Sequence, residues 1–336
     1  MNILFTCAGR RNYLINYFKE AIKGEGLIMA ADMQKTAPAM IDADKAFIVP
    51  GIYAENYVDE LIKCIKNEAV DLVISLNDLE LPILAEHQKE IEETGAKVII
   101  SNPKAIKIAF DKWETAKYIE RIGLKSPKTY INIDKALEAI DEGKLTFPLV
   151  LKPRWGSASI GIDFPESIEE LKLAYQLQLL RIKKTILANA SKEDLEHTIL
   201  IQEKIQGKEY GLDVLNDFNG KYYGTFLREK LAMRSGETDK AISVIDDRFS
   251  KVGRKIGESL RHLGNLDCDV FEYNNELYVL ELNPRFGGGY PFSHEAGMDT
   301  ASAYIAWARG EYDVEQFNNY KAGVLFSKCD RLLKID

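Results

Sequence analysis

The first hundred residues alternate between short apolar runs and longer segments in which apolar residues recur with helical spacing. The apolar runs predict buried strands at residues 3–7, 26–31, 46–49, 72–75 and 97–100. The periodic segments between them predict helices over residues 13–23, 57–67 and 81–94. Strands that alternate with helices favour a parallel, doubly wound sheet. We therefore expect an α/β domain over residues 1–102, with ligands at the carboxyl ends of its strands.

The pattern changes beyond Asn102-Pro103, which predicts a domain boundary there. Helices are expected over residues 104–110 and 113–122, followed by shorter strands and helices up to residue 203. From Gly211 the chain is rich in strand patterns, and it closes with a helix over 300–310 and a strand over 323–327. The second part therefore predicts an α+β architecture.

Composition and charge exclude several classes of protein. Hydrophobic residues make up 46% of the chain and charged residues 29%, which is typical of a compact globular protein. The net charge of -8 argues against binding to nucleic acid or to an anionic membrane, so an anionic ligand needs a local basic site. The four cysteines are widely spaced, the histidines lack zinc-site spacing, and no apolar segment suits export or membrane insertion. These features predict a reduced, cytoplasmic protein.

A polar cluster near the C-terminus predicts a cation site. Two strands, 269–273 and 277–282, are joined by Asn274-Asn275, so Asp269 and Glu281 are expected beside each other on a hairpin. Strand alternation places Glu281 and Asn283 on one face and Leu280 on the other. Three oxygen donors suit Mg²⁺, although polar residues on a hairpin are also typical of an ordinary solvent-facing sheet.

Arg285 follows this cluster directly, and Gly287-Gly288-Gly289 comes next. An arginine at this point suits a transferring phosphoryl group or an acyl phosphate, because its guanidinium is planar and always charged. The glycines either let the backbone approach a ligand closely or form a turn.

Two further segments predict nucleotide contacts. A strand ends at Lys152 and leads into a loop of small residues that includes Ser157, which suits phosphate oxygens. Residues 203–205 form an irregular segment between strands whose backbone can pair with an adenine edge, while Glu209 can accept from ribose hydroxyls. Each segment, taken alone, is also compatible with an ordinary strand end.

Two charged stretches are further candidates. Residues 228–240 carry alternating charges and predict a loop, in which Lys230 and Arg234 either bind a carboxylate or remain solvated. Residues 6–11 follow the first strand and open a helix, so their amides and arginines can hold an anion. The spacing G-x-G-x-x-G is absent there, which disfavours NAD.

The segments around Lys152, Glu203 and Glu281, in this order and spacing, resemble the ATP-grasp superfamily, in the branch similar to the large subunit of carbamoyl phosphate synthase. The resemblance covers nearly all 336 residues. It implies a Rossmann-like domain over residues 1–102 and an ATP-grasp domain over 103–336. The latter would consist of a small ATP-binding lobe at about 115–205 and a large catalytic lobe at about 206–336.

The resemblance also implies roles for single residues. By motif, Asp269, Glu281 and Asn283 would bind Mg²⁺ (with Mn²⁺ as a substitute), although relatives often have Gln where Asp269 stands. Arg285 and Lys152 would be catalytic. The residues implied to contact ATP are Lys112, Lys152, Ser157, Glu203, Lys204, Ile205, Glu209 and Arg234.

The function that the resemblance implies is a ligase that uses ATP and Mg²⁺ to join a small carboxylate to an amine through an acyl phosphate, and a homodimer is implied with it. One alternative is carboxyphosphate or carbamate phosphorylation of the carbamoyl phosphate synthase type. Another is a regulatory protein that binds ATP without turnover. The presence of the carboxylates, Lys152 and Arg285 favours an enzyme.

Overall fold

The N-terminal part of the protein is built on a parallel sheet. The computed structural model describes residues 1–156 and 161–335. The strands are β1 (Ile3–Thr6), β2 (Ile28–Asp32), β3 (Lys45–Ile48), β4 (Leu72–Ser75) and β5 (Lys97–Val98). The helices between them are α1 (Asn12–Ile22), α2 (Pro38–Asp42), α3 (Tyr57–Asn67), α4 (Leu81–Glu86) and α5 (Gln88–Glu92). The predicted doubly wound α/β architecture is confirmed, and the helix predicted over 81–94 is divided at His87.

The strand order β3-β2-β1-β4-β5 creates a crevice beside β1. The chain runs outward from β1 to β3 and then returns to β4 on the other side of β1. Leu4 and Phe5 are both fully buried because helices pack on both faces of the sheet. The connections that follow β1 and β4 separate where the order reverses, and ligands bind at such a point in open α/β sheets.

A small lobe follows. Asn102 caps the next helix through its side chain and Pro103 occupies the first turn, so a new helix begins where the boundary was predicted. Helices α6 (Pro103–Phe110) and α7 (Lys112–Arg121) pack against the sheet of the large lobe, whereas α8 (Ile133–Asp141), α9 (Ile168–Ile182) and α10 (Leu187–Ala190) belong to the small lobe. Its antiparallel sheet has the order β6-β8-β7, from β6 (Thr129–Tyr130), β7 (Leu149–Pro153) and β8 (Ile199–Glu203).

The large lobe contains an antiparallel sheet of order β13-β12-β9-β10-β11-β14. Its strands are β9 (Lys208–Asn216), β10 (Tyr222–Arg234), β11 (Glu237–Val244), β12 (Gly264–Tyr273), β13 (Glu276–Asn283) and β14 (Leu325–Ser327). Helices α11 (Asp247–Leu260), α12 (Tyr290–Glu295) and α13 (Thr300–Ala308) complete it, with a 3-10 turn at Glu315–Phe317. The sequence patterns did not predict β11 or α11.

The loop predicted over residues 228–240 is wrong. This stretch forms the ends of β10 and β11, joined by a tight turn in which Ser235 and Gly236 have φ of 52° and 80°. Its alternating charges follow the alternation of a strand, because Arg228 and Lys230 point inward to carboxylates of neighbouring strands. The alternating charges suggested a loop because the carboxylates that pair with them lie far away in the sequence.

The N-terminal domain packs directly against the large lobe. Phe18 of α1 contacts Phe286 and Tyr304 edge-on, with ring centroids 6.2 and 5.9 Å apart. Tyr13 donates a hydrogen bond of 3.2 Å to the carbonyl of Gly287. The crevice beside β1 therefore faces the segment that follows β13.

The sequence predicts neither a membrane-spanning segment nor paired cysteines. No helix among them is long and apolar enough to cross a bilayer. Cys7, Cys64, Cys268 and Cys329 are all unpaired thiols.

Candidate active site

A cleft of about 650 Å³ lies between the small and large lobes. Strands β7 and β8 form one wall, and β9, β12 and β13 form the other. The sequence-predicted residues that line the cleft are Lys112, Lys152, Glu203, Lys204, Ile205, Glu209, Asp269 and Glu281. The tertiary structure therefore brings together residues that are separated by up to 169 positions in the chain.

Apolar side chains line part of the cleft. Val150, Phe164, Phe271 and Leu280 line it, and the irregular segment after β8 passes beside them. The ammonium group of Lys204 lies 4.7 Å from the centre of the Phe164 ring. Apolar walls next to free backbone groups suit a flat heteroaromatic ring.

Lys152 is a buried cation in the middle of the cleft. It lies near the end of β7, where it pairs with Leu200 of β8. Burial lowers its pKa to about 8, and nearby Lys112 acts in the same direction, while Glu281 and Asp269 oppose the shift. An anionic group in the cleft would restore the charged form of Lys152.

Lys112 lies in the first turn of α7 and donates a hydrogen bond to the carbonyl of Gly156, at the start of the loop of small residues. That contact places Lys112 at the mouth of the cleft. Ser157, also in this loop, lies outside the described residues, so its predicted phosphate contact stays a prediction.

Glu209 and Asp269 share one cation. The ammonium of Lys230 lies 2.7 Å from a carboxylate oxygen of each. Burial raises the pKa of Asp269, and Lys230 only partly opposes this. A further cation beside Asp269 would therefore stabilise its ionised form.

A second, smaller cavity of about 80 Å³ adjoins the cleft. The two cavities share Asp269 and Glu281, so these carboxylates lie where the cavities meet. Asn283 and Arg285 line only the smaller cavity.

The hairpin that carries these residues has the expected register. Asp269 pairs with Glu281 across β12 and β13, and Asn274 and Asn275 both have positive φ, as a tight hairpin turn requires. A bulge at Leu280 interrupts the ladder, so Leu280 and Glu281 both line the cleft. The strict alternation predicted for this strand is therefore wrong at Leu280.

The donor set fits a magnesium ion. Asp269 and Glu281 are adjacent carboxylates, and the Asn283 amide follows on the same strand. Among the residues that the structure describes, no cluster of three His, Cys, Asp or Glu side chains forms a complete metal site. Two carboxylates and an amide oxygen suit Mg²⁺, because that ion retains waters and substrate phosphate oxygens as its other ligands.

A buried network of ion pairs supports the smaller cavity. Arg285 contacts Asp78 at 2.6 Å and Asp267 at 3.3 Å. Arg228 contacts Asp213 at 2.6 Å and Asp267 at 3.0 Å. Burial alone would raise the pKa of Asp267, but the two arginines hold it below its usual value. Arg285 is thereby held by both the N-terminal domain and the large lobe.

The three glycines after Arg285 provide space for this network. A Cβ atom on Gly287 would lie 2.2 Å from Asp267, and one on Gly289 would lie 2.3 Å from Arg228. None of the three has a positive φ. These glycines are therefore explained by close packing against buried charged side chains.

Arg234 lies apart from the other predicted ATP-contacting residues. Its guanidinium is half exposed and pairs with Asp330 at 2.9 Å and Asp239 at 3.2 Å. It lines neither cavity. Its predicted contact with ATP stays a prediction to which this geometry adds no support.

Sequence reasoning did not single out Asp78, Asp213, Arg228 or Asp267. One available clue was that Asp78 follows β4 at the point where the strand order reverses. Another was that Asp267 lies two residues before Asp269 and therefore on the same side of β12.

Comparisons with known proteins identify both parts of the chain. The ATP-grasp domain profile matches residues 109–289, and the profile of the PylC-like N-terminal domain matches residues 3–99. The carbamoyl-phosphate synthase of Methanobrevibacter smithii is 23% identical over 292 residues, which are 82% of this chain and 72% of that protein. The large chain of carbamoyl phosphate synthase from Gemmatimonas aurantiaca is 25% identical over 79% of this chain, but the match spans only 25% of that protein.

Solved structures share the fold. The biotin carboxylase domain of the Hydrogenobacter thermophilus 2-oxoglutarate carboxylase, a dimer solved with MgADP and bicarbonate, superposes with a TM-score of 0.74 and 18% identity, over 92% of this chain and 70% of that chain. An L-amino acid ligase from Bacillus licheniformis superposes with a TM-score of 0.71 and 17% identity, over 96% of this chain and 78% of that chain. Because the ATP-grasp profile covers more than half of the residues, the chain belongs to the ATP-grasp family.

Proposed function

We propose that this protein is an ATP- and Mg²⁺-dependent ligase that joins a small carboxylate to an amine and releases ADP and phosphate. One observation carries the proposal. A cleft with the dimensions and lining of a nucleotide site meets a small cavity lined by four basic and four acidic side chains, and Asp269 and Glu281 lie at the junction. The junction is where a terminal phosphate and a second substrate would meet.

The residues suggest how the reaction would proceed. Residues 203–205 and Glu209 would hold the nucleoside, and Lys152 and Lys112 would bind the phosphates. Asp269, Glu281 and Asn283 would hold Mg²⁺, which would neutralise charge on the phosphates. Arg285 would bind the γ-phosphoryl group as it moves to the substrate carboxylate. The amine would then attack the acyl phosphate and displace phosphate.

Catalysis of this kind needs no protein nucleophile. The side chains position the reactants and stabilise charge, and a closed cleft keeps water from the acyl phosphate. The fixed position of Arg285 between Asp78 and Asp267 supports this role, because a preorganised donor does not have to reorient during the reaction.

The test is the release of ADP and phosphate from Mg-ATP in the presence of a panel of carboxylic acids, amino acids and amines. We expect release that requires one acid and one amine together. Glu281→Gln should reduce this release by about 100-fold or more, because it removes a charge at the metal site. Glu276→Gln is the matched control, since Glu276 is an exposed residue on the same strand that pairs with Lys125.

The small cavity favours one alternative that the same assay separates. A volume of about 80 Å³ suits bicarbonate as well as a carboxylate group. ADP release that depends on bicarbonate and ammonia alone would identify carboxyphosphate chemistry. Tight ATP binding with no release in any pairing, or full activity of Glu281→Gln, would contradict the ligase assignment.

A further inference from the structure

Arg11 lines the smaller cavity and comes from the N-terminal domain. It stands at the start of α1, in the connection that follows β1. Its guanidinium donates to the carbonyl of Leu76 at 3.4 Å and to the Tyr13 hydroxyl at 3.2 Å. Among the described residues it makes no ion pair with a carboxylate.

The other cations of this cavity already have carboxylate partners. Arg228 and Arg285 share Asp267, and each has a second carboxylate as well. Lys230 lies between two carboxylates. Arg11 is therefore the cation lining this cavity that makes no direct ion pair among the described residues, although its charge helps to lower the pKa of Asp267.

The connection that carries Arg11 is fixed in place. The amide of Gly9 donates to the Asp32 carboxylate at 2.9 Å, and Cys7 and Gly9 adopt positive φ. The amide of Gly9 is thus occupied by the protein's own carboxylate, and the amides of Ala8 and Arg11 donate to backbone carbonyls, so these three amides are not available to an anion. The side chain of Arg11 remains as the anion-binding group.

The surroundings of Arg11 add positive charge. Lys328 lies nearby and donates to the carbonyl of Gly288 at 2.7 Å. Burial lowers the pKa of Lys328, and Arg11 and Arg228 act in the same direction, against Glu237. Glu237, which pairs with Lys328 at 3.4 Å, has a larger effect on this pKa than either arginine, and an anion beside Arg11 would act in the same direction as Glu237.

From these contacts we infer that Arg11 binds a carboxylate or phosphate group of the second substrate, a group that takes no part in the bond-forming step. The inference rests on the proposed function. It assigns substrate selection to the N-terminal domain, at the crevice where the strand order reverses. The substrate class is therefore a small molecule with a permanent anionic group in addition to its reacting group.

The first test is a binding measurement that does not depend on turnover. The full chain is loaded with Mg²⁺ and a non-hydrolysable ATP analogue, and it is then titrated calorimetrically with inorganic phosphate and, separately, with acetate. We expect saturable binding of at least one probe, and the stronger probe identifies the kind of anion. Arg11→Gln should weaken this binding by about 10- to 100-fold, the effect of losing a charged hydrogen bond.

The matched control is Arg10→Gln. Arg10 is the preceding residue, but its side chain is 85% exposed and pairs with Asp330 at 3.8 Å, outside both cavities. The Arg10→Gln variant should bind both probes with the same affinity as the unchanged protein. Equal weakening in the two variants, or no saturable binding by the unchanged protein, would overturn the assignment of Arg11.

The second test uses turnover with a substrate from the panel. The anionic substrate is compared with its carboxamide or dephosphorylated analogue, and Arg11→Gln should lose most of the KM difference between them. If Glu281→Gln abolishes ADP release but Arg11→Gln keeps the full difference, the ligase assignment stands and this inference fails. If neither variant changes ADP release, the proposed function itself fails.

Discussion

At the scale of single residues, Lys152 shows how burial tunes a binding group. The unfolded chain has the ordinary lysine pKa of 10.5, whereas burial lowers the native pKa to about 8. Between these two values the unfolded chain binds a proton that the native protein does not. The contribution of Lys152 to the free energy of unfolding therefore increases as the pH rises from about 8 to 10.5.

The same shift predicts that Mg-ATP binding takes up a proton. At about pH 9, one unit above the pKa of Lys152, most of the free protein has a neutral lysine. Phosphate oxygens favour the charged form, so binding should draw up to about one proton from the buffer. Calorimetric titration in two buffers of different ionisation enthalpy measures this uptake.

The matched variant for that measurement is Lys152→Arg. An arginine keeps its charge throughout this pH range, so the variant should bind Mg-ATP without taking up a proton. Equal proton uptake by the variant and the unchanged protein would show that Lys152 is not the group that titrates.

At the scale of elements, a buried ion pair links the start of helix α7 to the small lobe. Asp111 caps the helix by accepting from the amides of Trp113 and Glu114. It also receives two hydrogen bonds, of 2.8 and 2.7 Å, from the guanidinium of Arg154. Both side chains are about nine-tenths buried. The pair holds the first turn of α7, and therefore Lys112, beside the cleft.

Asp111→Ala should lower the free energy of unfolding by about 3 to 5 kcal/mol, because it leaves the buried Arg154 charge with less compensation and removes the helix cap. Urea unfolding followed by circular dichroism measures this loss. Asp111→Asn keeps a capping oxygen, so its free energy of unfolding should decrease by a smaller amount. A loss below about 1 kcal/mol in Asp111→Ala would argue that the pair is not structurally important.

At the scale of the whole molecule, the site depends on contact between two domains. Asp78 of the N-terminal domain bonds to Arg285 of the large lobe at 2.6 Å. One oxygen of Asp78 and the Nε of Arg285 are buried without a hydrogen-bond partner among the described residues. The position of Arg285 therefore depends on carboxylates from both domains. A shift of one domain relative to the other would displace its guanidinium.

Asp78→Asn should reduce kcat by about 10- to 100-fold through misplacement of Arg285, while ADP affinity stays unchanged. Asp78 is a positioning residue in this account. ADP release and a calorimetric titration with Mg-ADP measure the two quantities separately. Asp59→Asn, an exposed change on α3 of the same domain, is the control. An unchanged kcat, or an equal loss of ADP affinity, would contradict the positioning role.

Some features of the fold and the site could be predicted from sequence because their causes are local. The apolar runs of β1 and β4 predict strands, since burial on both faces needs no distant information. The dipeptide Asn274-Asn275 predicts a tight turn and therefore the pairing of Asp269 with Glu281. The motif around Lys152 predicted a contact with phosphate; the structure shows this lysine lining the cleft, and the phosphate contact stays a prediction.

Other features depended on neighbours that the chain brings together only when it folds. The alternating charges of residues 228–240 suggested a loop, because the carboxylate partners of Arg228 and Lys230 belong to other strands. The bulge at Leu280 has no local pattern that predicts it. Asp78 and Arg285 are 207 positions apart and meet only where the domains pack together.

The sequence by itself thus determined most elements of the N-terminal domain, the family resemblance and several side chains of the cleft, because periodicity and turn chemistry act over a few residues. Tertiary structure decided which charges are paired and which remain available for a ligand. The reason is that the stability of a buried charge depends on partners a few ångströms away in space, whatever their distance along the chain.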